Sequence, residues 1–319
     1  MDFGTRRRTP ALLAALALAA LPAAALAAEP ESCRTVRLAD VGWTDITATT
    51  ATASVVLEGL GYQPQTSILA LPVTFTSLAN GNIDVFLGNW MPTMEADIGP
   101  YRDKGEIEVL RTNLEGAKYT LAVPRYLYDA GLKSFADIAK FREQLNNRIY
   151  GIEPGNDGNR LILEMIEKDT FGLSGFELVE SSEQGMLSQV SRQTRGEQPI
   201  VFLGWEPHPM NAQFAMTYLT GGDEWFGPNL GGATVYTNVP TGYRQTCPNV
   251  GKFLDNLVFD LNMENEVMTS IIDDKQQPEA AATAWLKANP KVLETWLAGV
   301  TTVDGKDGLA AVRKHLKLS

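Results

Sequence analysis

Histidine and cysteine are scarce in this sequence, with two of each among 319 residues: His208 and His315, Cys33 and Cys247. That leaves little for a zinc site, which draws on clusters of those side chains. A Ser-His-Asp or Cys-His catalyst would have to be built on one of two imidazoles. Positive charge is short as well, since 27 Lys and Arg stand against 38 Asp and Glu for a formal net charge of −11. Excess acid on this scale argues against a nucleic-acid partner, which needs a basic footprint. Beyond the N-terminus no stretch approaches the ~20 apolar residues of a membrane-spanning helix. What remains is a carboxylate-based enzyme, or a protein that binds and does no chemistry. The chain is long enough for one large domain or two ordinary ones.

The N-terminus indicates the compartment. Arg6, Arg7 and Arg8 precede an apolar run from Ala11 through Leu21, then Pro22 and small residues. Ala25-Leu26-Ala27 fits the A-x-A cleavage pattern, so residues 1–27 read as a signal peptide cut near Ala27/Ala28. The expected location is the periplasm. Neither a twin-arginine signal nor a lipobox before Cys33 is present. Removing three arginines and Asp2 takes the net charge from −11 to −13. Exported chains with two cysteines usually pair them, and a Cys33–Cys247 bond would close a loop of more than 200 residues. The chain-entropy model credits such a loop with roughly 5 kcal/mol. Two unpaired buried thiols are the alternative.

Along the chain, strand-like and helix-like segments alternate. Thr35–Ala39 reads as a strand, Asp45–Leu57 as a helix, Thr66–Leu69 as a strand, Thr74–Ala79 as a helix and Ile83–Leu87 as a strand. This β-α-β-α-β order predicts a parallel sheet covered by helices. A second run follows Gly116, with strands at 119–123, 149–152, 176–179 and 200–203 and helices at 135–145, 159–168 and 185–192. A glycine-rich stretch at 221–232 leads into one more strand, 234–239, and then a helical tail. The tail cannot form a sheet lobe alone, so it is expected to pack back on the first unit. The reading is α/β with a discontinuous first lobe, 28–117 and 222–319, and an inserted second lobe, 118–221. Chain crossings are expected near 116–118 and 221–231.

Three tryptophans share a setting. Leu38-Ala39-Asp40-Val41 runs into Gly42-Trp43, Ile83–Leu87 into Gly88-Asn89-Trp90-Met91-Pro92, and Ile200–Leu203 into Gly204-Trp205-Glu206-Pro207. Each ring is expected just past the carboxyl end of a parallel strand, the edge where open α/β sheets bind ligands. The adjacent glycine is expected to turn the backbone so that the ring projects out. One such tryptophan is ordinarily a lid on the core; three placed alike and split between two lobes suggest a shared aromatic site. Tyr119, at the crossing into the second lobe, is a candidate fourth wall. Trp285 and Trp296 belong to the core by their leucine neighbours, and Trp225 has no evident place. A box of rings suits a quaternary ammonium, whose diffuse charge sits against the π-faces.

Gly204-Trp205-Glu206-Pro207-His208-Pro209-Met210 resembles a segment of the glycine betaine and choline substrate-binding proteins of ABC importers. The resemblance extends over most of the chain after residue 27, including Gly42-Trp43-Thr44-Asp45 and Gly88–Pro92, and lies nearest to periplasmic choline-binding proteins. It implies a two-lobed periplasmic-binding-protein fold (type II) that closes on its ligand and delivers it to a membrane permease. Carried over position by position, it implicates Trp43, Trp90, Tyr119 and Trp205 as the box. No enzymatic activity, cofactor, metal or nucleic acid is expected, and the protein is expected to be a monomer.

Local residues weigh choline against betaine. Asp45 stands at a predicted helix start, where Asp is commonly an N-cap. If Thr44 caps instead, the Asp45 carboxylate is left beside the cation and favours choline, a net cation, over a zwitterionic betaine. Pro154–Asn159 reads either as a turn with a cap or as a polar contact for the alcohol. Asn156 can both donate to and accept from a hydroxyl, and Asp157 is a second candidate. His208 either contacts a betaine carboxylate or, with two neighbouring prolines, shapes a turn. The expected ligand is therefore choline, with acetylcholine or betaine weaker. A glycine betaine or proline betaine carrier is the alternative. A more distant one is an exported carboxylate hydrolase using Asp45 and Asp157.

Overall fold

A computed structural model describes residues 29–318 together with residues 1, 2 and 4; the signal peptide and its cleavage site therefore lie outside the described residues. Strand β1 (Thr35–Asp40) leads through helix α1 (Thr44–Gly59) to β2 (Gln63–Ile68), and α2 (Leu71–Ala79) leads to β3 (Val85–Met91). These are the five elements foreseen, with their ends shifted by up to four residues. Then comes α3 (Glu95–Arg102), a helix the sequence hides because Gly99 and Pro100 sit inside it. Strand β4 (Ile107–Pro124) is 18 residues long, where only its last third was legible. Its register against the strand Gly232–Pro240 shifts three times between Val109 and Ala117, and irregular pairing of that kind erases the two-residue alternation that marks a strand.

Helix α4 (Arg125–Asp129) was not foreseen, and a 3-10 turn at Phe135–Phe141 replaces the longer helix expected at 135–145. Strand β5 (Arg148–Tyr150), α5 (Asp157–Glu167), β6 (Glu177–Val179), α6 (Glu183–Arg195) and β7 (Phe202–Glu206) follow in the expected order. β8 (Met216–Tyr218) and β9 (Gly232–Pro240) complete the strands, and the rest is helical.

Among the described residues, all nine strands join one sheet in the order β2-β1-β3-β9-β4-β7-β5-β6, with β8 on β4. The sheet is mixed, not parallel throughout. β1 pairs in parallel with β2 and β3, whereas β9 runs antiparallel to β3 and β4, and β7 antiparallel to β4. Helix α1 is buried along nearly its whole length. Its small Ala, Thr and Ser side chains let the sheet approach one side and the helices Leu261–Ile272, Pro278–Ala288 and Gly308–His315 the other. Thr49 and Thr52 turn their hydroxyls onto carbonyls one turn back, so these polar side chains enter the core satisfied. Cys33 and Cys247 are disulfide-bonded across 214 residues, with Cα atoms 5.5 Å apart. The bond ties the segment before β1 to the one after β9.

Candidate functional site

Four rings from distant parts of the chain meet around one cavity of about 260 Å³, lined by Trp43, Asp45, Trp90, Met94, Tyr119, Ile152, Asn156, Asp157 and Trp205. All seven residues proposed from sequence lie on this cavity; Met94 and Ile152 were not foreseen. β4 and β7 place Tyr119 directly opposite Trp205 in register, so the two rings stand on one face of the sheet. Their centroids are 6.3 Å apart at 78°, and Trp90 meets Tyr119 at 6.2 Å and 65°. Tyr119 is thus the shared edge of two walls, backed by the buried Phe226 at 5.8 Å.

Two expectations about these rings need correction. Trp90 and Trp205 lie inside β3 and β7, not past their ends. Nor do all three glycines turn the chain. Only Gly42 is left-handed, with φ +85°, and it delivers Trp43 to the start of α1. Gly88 and Gly204 instead admit neighbours: an added Cβ would stand 2.5 Å from Ile46 Cδ1 in the first and 3.0 Å from Met216 Cε in the second.

The polar side of the cavity is acidic. Asp45 is in the first turn of α1 and 1% exposed, and neither carboxylate oxygen has a hydrogen-bond partner among the described residues. It therefore does not cap the helix. Burial, and then the charge of Glu183, push its pKa up to about 8, although backbone N–H groups at 45 and 46 pull the other way. Behind it, buried Glu264 on the helix Leu261–Ile272 is held well above the usual carboxylate range by burial and by Asp45. Burial also raises Asp157 to about 6 and Glu153 to about 7.

Asn156 takes the capping role weighed from sequence and also lines the cavity. Its Oδ1 accepts from the Asn159 N–H, capping α5, and from the Tyr119 hydroxyl at 2.9 Å. Its Nδ2 donates to Asp157 Oδ1 at 3.0 Å. An amide has two lone pairs and two N–H groups, so one N–H remains for a further acceptor. Asp157 Oδ2 has no partner among the described residues. Gly158 lets the Tyr119 hydroxyl rest on the first turn of α5, where a Cβ would come within 2.1 Å of it.

Two glutamates near the site escape sequence reading. Glu153 Oε1 accepts from Trp43 Nε1 at 2.8 Å. Glu183, 1% exposed, accepts from the Thr44 N–H at 2.8 Å and from its hydroxyl at 2.5 Å. His208 serves this group and does not line the cavity. Its Nδ1 accepts the Met210 N–H, so the proton sits on Nε2 and points at Glu183 Oε1, 3.2 Å away. Trp225 is half-buried under Lys168, away from the cavity. Trp296 is core as expected; Trp285 is only partly buried and stacks on it at 6.4 Å.

Comparison with known proteins adds a family. Residues 34–288 match OpuAC, described as the substrate-binding domain of the ABC-type glycine betaine transport system. A structure of an ABC-transporter choline-binding protein in complex with choline is 64% identical, covers 90% of this chain and 100% of its own, and superposes with a TM-score of 0.89. An unliganded, semi-closed choline-binding protein of the same identity and coverage gives 0.84. The glycine betaine/carnitine transport binding protein GbuC of Listeria monocytogenes is 31% identical over 166 residues, 52% of this chain and 54% of its own.

Proposed function

The chain belongs to the family of substrate-binding domains of ABC-type glycine betaine transport systems, and we propose that its own ligand is choline. The observation that carries this is Asp45: a buried carboxylate with two unpartnered oxygens, set among four aromatic walls. Rings stabilise a quaternary ammonium by roughly 0.5–2 kcal/mol each when desolvated, so four supply roughly 2–8 kcal/mol toward capture. They act on choline and betaine alike, because the trimethylammonium group is common to both.

The other end of the ligand decides between them. A betaine carboxylate would face Asp45 and Asp157 across a small cavity, where the ionised form of either would repel it strongly. A choline hydroxyl can donate to an oxygen of Asp45 and accept the remaining N–H of Asn156. Asp45 and Asn156 then each gain a partner, which low dielectric favours. The high identity to a choline-bound structure supports the same choice.

The site draws Trp43, Asp45 and Trp90 from the segment 28–117, and Tyr119, Asn156, Asp157 and Trp205 from 118–221. This split supports a two-lobe mechanism, the first lobe being completed by 222–319, with closure burying the ammonium between the lobes. The closed protein then delivers choline to its membrane permease. The location is the periplasm, on the strength of the N-terminal signal and the cysteine pair.

Titration of the chain from residue 28 with choline, acetylcholine and glycine betaine, followed by calorimetry or tryptophan fluorescence, tests the reading. Choline is expected to bind tightest; a preference for betaine would defeat the choice of ligand.

A further inference from the structure

We propose that Glu183 is a positioning residue for ligand capture: its carboxylate, oriented by His208, caps the N-terminus of α1 from the opposite lobe and so fixes Trp43 and Asp45 as the site closes. The inference deepens the two-lobe reading given above and rests on it. Three observations carry it. First, α1 has no cap of its own, because the residue at its N-cap position is Trp43 and the Asp45 carboxylate makes no hydrogen bond among the described residues. Second, the missing acceptor comes from 139 residues away, since both Thr44 donors end on Glu183. An anion on the first turn of a 16-residue helix lies where the backbone dipoles favour it. Third, Glu183 is held ready. It stands at the start of α6, where the Ser182 hydroxyl oxygen accepts the Gly185 N–H, and the Nε2–H of His208 points at its Oε1.

Thr44 lies between Trp43, whose ring walls the cavity, and Asp45, whose carboxylate faces it. Glu183 itself is not on the cavity. It acts through Thr44, and it grips only when the two halves of the chain are together. Opening the lobes exposes a buried carboxylate and uncaps a helix; closing them restores both. The Trp43–Glu153 bond is a second tie between the same halves, but Glu153 is partly exposed, while Glu183 has three donors and no access to water.

The test uses E183Q and T44V in the chain from residue 28. Calorimetry measures choline affinity, and small-angle scattering measures the radius of gyration with and without choline. Melting temperature is recorded without ligand. E183Q replaces charge-assisted bonds by an amide that must present an N–H toward a donor; a loss of roughly ten- to a hundredfold in choline affinity is expected. T44V removes only the hydroxyl bond and should lose several-fold. Both variants should contract less on adding choline, while the ligand-free melting temperature stays at the wild-type value, because the open form does not make the contact. A lowered ligand-free melting temperature with unchanged affinity would assign Glu183 an ordinary structural role and overturn the latch. Wild-type protein that contracts with choline while E183Q matches it in affinity and contraction would overturn the latch alone. Wild-type protein that neither binds nor contracts would overturn the choline reading together with it.

Discussion

At the scale of single residues, the cavity works by leaving particular groups unpaired. Trp43→Ala and Trp205→Ala are each expected to weaken choline binding tenfold or more by removing a wall, measured by calorimetry; unchanged affinity in both would mean the ammonium sits elsewhere. Asp45 brings a pH dependence whose sign is fixed. Burial and Glu183 lift its pKa to about 8, so near neutrality the ligand-free site holds a proton there. A cation in the box favours the ionised form, and binding therefore releases that proton. Choline affinity should rise with pH through neutrality and level off above about 8. Glu153, raised to about 7, and Asp157, raised to about 6, add to the slope lower down. Calorimetry in buffers of different ionisation enthalpy measures the released protons directly, and an affinity independent of pH would contradict the assignment. The four rings, the Asp and the Asn were legible because each stands beside a strand end or helix start that its own neighbours announce. Glu153 and Glu183 were not, since nothing near them in sequence marks them. Ser181-Ser182-Glu183-Gln184 reads simply as a helix start, and only the fold brings it to Thr44.

At the scale of elements, the site depends on how closely backbones approach. Gly158→Ala would push the Tyr119 hydroxyl off the first turn of α5. It should therefore weaken choline binding, by about tenfold for the loss of a well-placed ring and its bond to Asn156. Fluorescence titration checks this; wild-type affinity would show that Tyr119 can be rebuilt from another direction. Most helices and strands could be read from residue pattern, but their ends and directions could not. Trp90 and Trp205 turned out to lie within strands because β3 and β7 continue beyond their apolar cores into Gly-Asn-Trp-Met and Gly-Trp-Glu. Alternation stops at those residues while the hydrogen-bond ladder goes on. The antiparallel course of β9 and β7 was illegible for a related reason. Direction is set by the connections between strands, and a lone strand's composition is the same either way.

At the scale of the whole molecule, burial of acids sets a cost that the ligand offsets. Asp45, Glu153 and Asp157 keep protons in the folded state that the unfolded chain has already released above about pH 4. Folded-state values above the unfolded ones mean that stability falls as pH rises across this range. The ligand-free melting temperature is therefore expected to drop between about pH 5 and 8, and saturating choline should flatten the decline. A ligand-free melting temperature that rises across that interval would contradict the buried-acid picture. The disulfide acts independently of the site. Replacing Cys33 and Cys247 by serine should cost about 2–5 kcal/mol of stability, read from denaturant unfolding, and leave choline affinity within about twofold, since neither residue borders the cavity.

The choice of choline rests on the charge of Asp45 more than on any ring. Affinities for choline and glycine betaine, measured by calorimetry on wild-type protein and on D45N, test that charge directly. D45N keeps the shape of the side chain and removes the anion, so choline should weaken by about tenfold or more while betaine holds or tightens. The preference for choline would then collapse. If D45N kept the wild-type ratio of the two affinities, Asp45 would not be what tells an alcohol from a carboxylate.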